Sequence, residues 1–257
     1  MLKSLDLTGK VAVVVGGTSG IGKTMSIALA EAGADVIPCS RRLDAAEPVA
    51  AEIEKLGKKT LRLAADVADR PSLVAAKDQI LEKFGHIDIL INSAGRIKRT
   101  PILDLPEEEW SGIIDTNLTG TLRACQVFAP PMLAQGWGRI VNLASLNSFV
   151  SLFEVAAYAA SKAGVAGLTR SLAVEWGARG VNVNAIAPGV FRTALNQQLL
   201  DGTERGRELK LRTPLKRFGN VEELGGAAVF LSSEAASFIN GEILVVDGGF
   251  LASGVNQ

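Results

Sequence analysis

Residues 11–22 read Val-Ala-Val-Val-Val-Gly-Gly-Thr-Ser-Gly-Ile-Gly, and residues 23–32 continue as KTMSIALAEA. An apolar, β-branched run that stops on glycine and passes at once into a helical pattern predicts a strand, a tight turn and a helix N-terminus. Glycine suits the turn because the chain must reverse sharply and let a pyrophosphate reach backbone N–H groups at a helix end, where the dipole favours an anion. Gly16, Thr18, Ser19, Gly20, Ile21 and Gly22 are the expected cradle for a dinucleotide. Spacing alone fits a tight turn with no ligand as well.

Outward from this turn, strand-like runs alternate with helix-like segments along the whole chain. Strands are expected at Val11–Val15, Asp35–Cys39, Thr60–Ala64, Ile87–Ile91, Arg139–Leu143, Val181–Ala187 and Ile243–Val246. Helices are expected at Gly20–Ala32, Asp44–Leu56, Ser72–Phe84, Glu107–Ala134, Ala157–Ala178 and Val221–Leu231. Continuous Val/Ile/Leu runs fit strands buried on both faces, and the alternation implies βαβ units. The expected fold is α/β, one doubly wound Rossmann-type domain over 1–257 with a seven-stranded parallel sheet flanked by helices on both faces. Phe191–Thr213 follows neither period and is expected to be a mobile substrate loop over about 190–213.

Composition narrows the function. Hydrophobic residues make up 47% and charged residues 21%, ordinary for a globular chain rather than a disordered or fibrous one. Lys plus Arg and Asp plus Glu balance at 27 each, so no net field would gather nucleic acid or an anionic membrane surface. Cys39 and Cys125 lack the number and spacing of a disulfide framework or zinc site, and His86 is the only histidine, which leaves no His-based triad and no expected metal. MLKSLDLTGK has no apolar core of a secretory signal and no run is long enough to span a bilayer, so the expected location is the cytoplasm.

Tyr158 and Lys162 stand at i and i+4, on one face of a helix. A tyrosine with a pKa of about 10 is a poor acid–base group at neutral pH, and an ammonium beside it favours the phenolate. Lys162 can also reach the nicotinamide ribose hydroxyls. Ser145 ends the fifth strand, where its hydroxyl would project over the carboxyl edge of the sheet and bind a substrate oxygen as charge develops on it. Asn117 is expected to interrupt the fourth long helix and to hold a water next to Lys162. At the end of the second strand an acid would accept from an adenosine ribose and repel a 2′-phosphate, whereas here Ser40 stands there, followed by Arg41. NADP(H) is therefore expected over NAD(H), with the Arg41 guanidinium on the phosphate.

The gap between Gly16 and Gly20, the YxxxK unit at Tyr158 and Lys162, and Asn92-Ser93-Ala94-Gly95 resemble the short-chain dehydrogenase/reductase family, whose glycine turn reads TGxxxGxG. Val15 stands where the family usually has Thr, and Ser93 replaces the second Asn of its NNAG segment. The resemblance runs on through Pro188-Gly189 and Thr193 to Val246-Asp247-Gly248-Gly249. It implies an NAD(P)-dependent oxidoreductase moving hydride between nicotinamide and a carbonyl or alcohol carbon. It implies cofactor contacts from Asp66 and Val67 at the adenine, Asn92, Ala94 and Gly95 beside the sheet, and Pro188, Gly189 and Thr193 at the carboxamide, and a homotetramer joined through the long helices around Cys125 and Ala166.

Arg96-Ile97-Lys98-Arg99 with Pro101, FGHIDIL, KLRTPLKRFG and VFLSSEAASFINGEILVVDGG is similar to the gluconate 5-dehydrogenase and 2-deoxygluconate or 2-keto-3-deoxygluconate dehydrogenase branch. That implies a small sugar-acid substrate, with Arg99 on its carboxylate and Ser145 and Tyr158 at the reacting oxygen. The same motifs fit a 3-oxoacyl-carrier-protein reductase. A catalytically silent nicotinamide-binding regulator or scaffold stands as a reading of a different class.

Overall fold

The structure, a computed structural model, describes residues 2–193 and 196–255. Seven strands, β1 (Val11–Val15), β2 (Asp35–Ser40), β3 (Leu63–Ala64), β4 (Ile89–Asn92), β5 (Gly138–Leu143), β6 (Val181–Pro188) and β7 (Ile243–Val246), hydrogen-bond into one sheet. The order is β3-β2-β1-β4-β5-β6-β7. Every pair is parallel. The helices are α1 (Gly20–Glu31), α2 (Ala46–Lys55), α3 (Arg70–Phe84), α4 (Glu107–Ile114), α5 (Gly120–Gln135), α6 (Ala156–Trp176), α7 (Gln197–Leu200), α8 (Glu204–Arg212) and α9 (Gly225–Leu231).

β1 explains why the apolar runs are unbroken. Val11, Val13 and Val15 join the core with α3, α5 and α6, while Ala12 and Val14 join the core with α1 and α9. A central strand of a parallel sheet meets protein on both faces, so alternate residues have equal reason to be apolar. Strand order reverses between β1 and β4, and the helices that follow, α1 and α5, pack on opposite faces, which marks the carboxyl edge of the sheet there as the crevice where such folds hold a ligand.

Several expected boundaries move. β3 begins at Leu63 rather than Thr60, because this edge strand has one neighbour and pairs only through Cys39–Leu63 and Ser40–Ala64. β4 begins at Ile89 rather than Ile87, since the Asp88 carboxylate accepts from the Val11 N–H at 2.9 Å and anchors the strand's entry. The helix expected over Glu107–Ala134 is two helices joined by a wider π turn at Asp115–Thr119. Residues 221–224 form a tighter 3-10 turn before α9.

The segment read as an irregular loop, Phe191–Thr213, contains α7 and α8. Its periodicity is faint because these short polar helices bury only Leu200, Gly206 and Leu209, the two leucines packing with Phe218 and Phe250. The Thr203 hydroxyl accepts from the Gly206 N–H at 3.0 Å and starts α8. Ala194 and Leu195, which fall in the same segment, lie outside the described residues. No helix among the described residues is long and apolar enough to cross a membrane.

Candidate active site

The glycine turn has the form of a phosphate cradle. Gly16 has φ +83°, and a Cβ there would lie 2.5 Å from the Ala94 nitrogen, so the loop after β4 packs directly on the turn. A Cβ on Gly22 would lie 2.1 Å from the Gly16 carbonyl oxygen, which sets how closely α1 approaches it. The first hydrogen bond of α1 runs from the Lys23 N–H to the Ser19 carbonyl at 3.1 Å, and the Ser19 hydroxyl does not cap the helix. The N–H groups of Gly20, Ile21 and Gly22 therefore point off the helix end, with Thr18 and Ser19 beside them. A dinucleotide pyrophosphate fits this end.

At the end of β2 the Ser40 hydroxyl donates to the Arg42 carbonyl at 2.9 Å, which curls the chain and leaves Arg41 exposed. Ser40 and Arg41 occupy this strand end in place of an acid, and the Asp44 carboxylate beyond them lies 3.8 Å from Arg42. After β3, the Asp66 carboxylate accepts from the Ala68 N–H at 2.9 Å and Val67 packs under Gly120. Asn92 crosses from β4 to the Asn142 oxygen at 2.9 Å, and Asn142 donates on to Thr169 at 2.9 Å, so a buried polar ladder ties the sheet to α6. Ala94 and Gly95 follow at the crevice. Across it, Pro188 ends β6, the Gly189 N–H donates to the Val246 carbonyl at 2.8 Å, and the Thr193 N–H donates to the Asn196 side chain at 2.8 Å.

Ser145, Tyr158 and Lys162 converge at the same edge. Ser145 is 7% exposed and its oxygen accepts from the Asn147 N–H at 3.1 Å, which fixes the hydroxyl just past β5. Tyr158 is half-buried on the first turn of α6. Burial pushes its hydroxyl up from the ordinary range, and the facing Ser145 hydroxyl opposes that by bonding the phenolate. Lys162 Nζ lies 5.7 Å from the Tyr158 ring centre and donates to the Leu143 carbonyl at 2.6 Å. Desolvation lowers the lysine to about 8. A hydroxyl donor, a phenol and a nearby ammonium over one crevice can polarise a carbonyl and deliver or remove its proton.

The desolvated lysine has a stability consequence. Its ordinary pKa of 10.5 exceeds its folded value of about 8, so the unfolded chain binds the proton more readily between those limits. Stability from this group rises as pH climbs from 8 to 10.5, and below pH 8 the full penalty, about 3 kcal/mol, is present. Lys162→Met should therefore stabilise the free protein at neutral pH, with the gain over wild type shrinking toward pH 10.5. Denaturant melts of both proteins across that range would show it, and a gain that grows with pH would refute it.

Asn117 does sit in the π turn that breaks the long helix. Its side chain is held by three hydrogen bonds. Oδ1 accepts from the Arg96 N–H at 2.8 Å, and Nδ2 donates to the Arg96 carbonyl at 2.9 Å and to Ser161 at 3.0 Å. The amide thus clamps the peptide after Gly95, where Asn117 Oδ1 and Lys162 Nζ would lie 3.4 and 3.8 Å from a Cβ built on Gly95. The cationic loop is tied to carboxylates of the protein itself. Arg96 and Lys98 both engage Glu109 on α4, and Arg99 donates to Glu154 at 2.7 Å. Three cations in four residues are thus largely neutralised by two carboxylates far away in sequence.

Sequence reasoning missed Glu154, Glu109 and Ser161 for that reason: their partners lie 55, 13 and 44 residues away, and no period links them. His86 and the two cysteines stand apart from this site. His86 lies at the opposite edge beside the Phe84 and Gly9 carbonyls, and Cys39 and Cys125 are buried, with thiols pushed up to about 12 by desolvation. No cluster suited to a metal ion occurs among the described residues.

Residues 15–251 match the family model described as Enoyl-(Acyl carrier protein) reductase. The chain is 44% identical to the D-threitol dehydrogenase of Mycolicibacterium smegmatis over 95% of its own length and 94% of the relative's. It is 40% identical to the 2-dehydro-3-deoxy-D-gluconate 5-dehydrogenase of Escherichia coli, over 98% and 99%. The crystal structure of a gluconate 5-dehydrogenase from Burkholderia cenocepacia in complex with NADP and tartrate superposes with a TM-score of 0.94 at 37% identity, over 98% of this chain and 99% of that one. With relatives of this kind over nearly the whole chain, and with the glycine turn, Ser145, Tyr158 and Lys162 gathered at one sheet edge, the chain belongs to the short-chain dehydrogenase/reductase family, the NAD(P)-dependent oxidoreductases acting on CH–OH groups.

Proposed function

We propose that this protein is a sugar-acid dehydrogenase that interconverts an alcohol and a carbonyl carbon of a small polyhydroxy acid with NADP(H). The observation that carries the reading is the convergence of Ser145, half-buried Tyr158 and desolvated Lys162 at the carboxyl edge beside the glycine turn. Bound NADP(H) supplies the site that takes or gives the hydride. Ser145 bonds the substrate oxygen, Tyr158 gives or removes its proton, and Lys162 holds the ribose and favours the phenolate as the proton leaves. Asn117 keeps the loop after Gly95 in place. Gly16 and the first turn of α1 hold the pyrophosphate, and Asp66, Val67, Asn92, Ala94, Pro188, Gly189 and Thr193 line the remaining cofactor surface. The sugar-acid relative, the neighbour solved with tartrate and the cationic run at Arg96, Lys98 and Arg99 after β4 support an acid substrate.

Turnover followed by nicotinamide absorbance, with gluconate and 2-dehydro-3-deoxygluconate against glucitol and short 3-oxoacyl thioesters, tests the reading. Faster turnover of the acids is expected. Reduction of the thioesters alone would replace it with the acyl-reductase reading, and no turnover with intact NADP(H) binding would favour the silent regulator.

Cofactor choice rests on the second strand. Ser40→Asp with Arg41→Ala should exchange a phosphate-binding cation for a ribose acceptor and move preference toward NAD(H) by about tenfold to a hundredfold. A wild type that already prefers NAD(H) by a wide margin would overturn the assignment.

The same reading makes residues 1–257 one catalytic domain with a substrate loop over about 190–213, acting in the cytoplasm as a homotetramer. Val174, 84% exposed on the outer face of α6, supports an interface through that helix. Light scattering would report the assembly.

A further inference from the structure

Glu154 combines three features that the catalytic scheme does not use. It is one of two described non-glycine residues in the left-handed region, at φ +67°. Its carboxylate accepts from Arg99 at 2.7 Å, with side chains 33% and 23% exposed, so the pair is shielded but within reach of solvent. Its carbonyl accepts from the Thr100 N–H at 2.9 Å, which fastens the loop before α6 to the loop after β4. A left-handed backbone at a residue with a Cβ is unfavourable and persists only where surrounding bonds hold it. Here the holding bonds run to Arg99 and Thr100. Glu154 lies four residues before Tyr158 in the chain, in the turn that leads into α6.

Half-buried Arg205 on α8 adds a second cation to the same corner. Burial lowers its pKa, nearby Arg99 lowers it further, and the Glu154 carboxylate acts in the opposite sense. Two guanidiniums from separate elements thus share this corner with the Glu154 carboxylate, and Glu208 on α8 acts on Arg205 in the same sense as Glu154. The arrangement has the chemistry of a carboxylate subsite with an internal carboxylate already in it.

We propose that Glu154 competes with the substrate's own carboxylate for Arg99, and so sets how strongly the enzyme favours polyhydroxy acids over neutral polyols. The inference rests on the sugar-acid reading above. An arriving carboxylate takes the Arg99 fork, and Glu154 turns out toward solvent as its backbone relaxes from the left-handed region. Exchange of one carboxylate for another keeps the guanidinium paired throughout, and a neutral polyol leaves the internal pair intact. Glu154 is therefore a specificity residue rather than a proton-transfer group.

Titration of the NADP-loaded full-length protein with tartrate, followed by calorimetry, tests this without requiring turnover. Glu154→Gln should tighten tartrate by roughly three- to tenfold, the scale of one partly exposed ion pair removed as a competitor. Arg99→Ala should weaken tartrate by about tenfold or more. In the Arg99→Ala background, Glu154→Gln should have little effect, because the competition requires the arginine. Glu154→Gly, which also removes the backbone strain, should tighten tartrate as Glu154→Gln does. Unchanged or weaker tartrate in both Glu154 variants would overturn the proposal by making Glu154 a support for Arg99. Equal tightening with and without Arg99 would also overturn it, since simple charge repulsion would then suffice. If tartrate behaves as expected while gluconate and 2-dehydro-3-deoxygluconate are never turned over, the competition stands and the substrate reading fails.

Discussion

Tyr158→Phe should lower kcat by about a thousandfold or more while NADP(H) affinity stays within about threefold of wild type. The substitution removes one oxygen and leaves the ring in its half-buried place on α6. Lost with it are the proton donor and the partner of the Ser145 hydroxyl, whereas the cradle at Gly16 and the first turn of α1 is untouched. Stability should change by no more than about 1 kcal/mol, the worth of an ordinary hydrogen bond. Single-turnover kinetics with cofactor titration separate these effects. Ser145→Ala should cost about a hundredfold in kcat, the scale of one lost oxyanion donor. Lys162→Ala should lose activity and cofactor affinity together. A Tyr158→Phe enzyme within about tenfold of wild type would remove the proton-transfer role from this side chain.

The other large effect concerns the glycine turn. Gly16→Ala should weaken NADP(H) by about a hundredfold or more and destabilise the fold by about 3 kcal/mol. Two causes act together. At φ +83° any L side chain is strained, and its Cβ would sit 2.5 Å from the Ala94 nitrogen and 2.7 Å from the Ala94 Cα, both backbone atoms with little room to retreat. The loops after β1 and β4 would separate, and the cradle and the Ala94-Gly95 strip would move with them. Gly9→Ala is the control: Gly9 has φ +82° with nothing within 4 Å of its built Cβ, so the variant carries the backbone strain without the clash. It should lose stability and keep cofactor affinity. If Gly16→Ala also keeps its affinity, close packing of the two loops is not what shapes the cofactor site.

The fold was legible wherever a local pattern met an obligatory physical need. β1 and β7 match their expected limits residue for residue; β1 is a short apolar run buried throughout, and β7 is bounded by turn residues and set by parallel pairing with β6. The break at Asn117 was readable too, although a propensity for helix runs straight through residues 107–134. Short polar elements were not legible. α7 and α8 show too few buried residues for a period to emerge, and β3 is set by pairing to Cys39 and Ser40 rather than by its own residues.

The sequence by itself determined the sheet, the glycine turn and the order of Ser145, Tyr158 and Lys162, because strand burial, turn geometry and i to i+4 spacing are local constraints that residue types must obey. Only the tertiary structure decided how charge is distributed at the site. In sequence Arg99 stands in a cationic run assigned to a substrate carboxylate, yet folding brings Glu154 against it from 55 residues away. The Asn117 amide, 21 residues from Arg96, is turned to clamp that peptide. Pairing between side chains depends on where separate elements converge on the sheet edge, and no periodicity of a single segment encodes it.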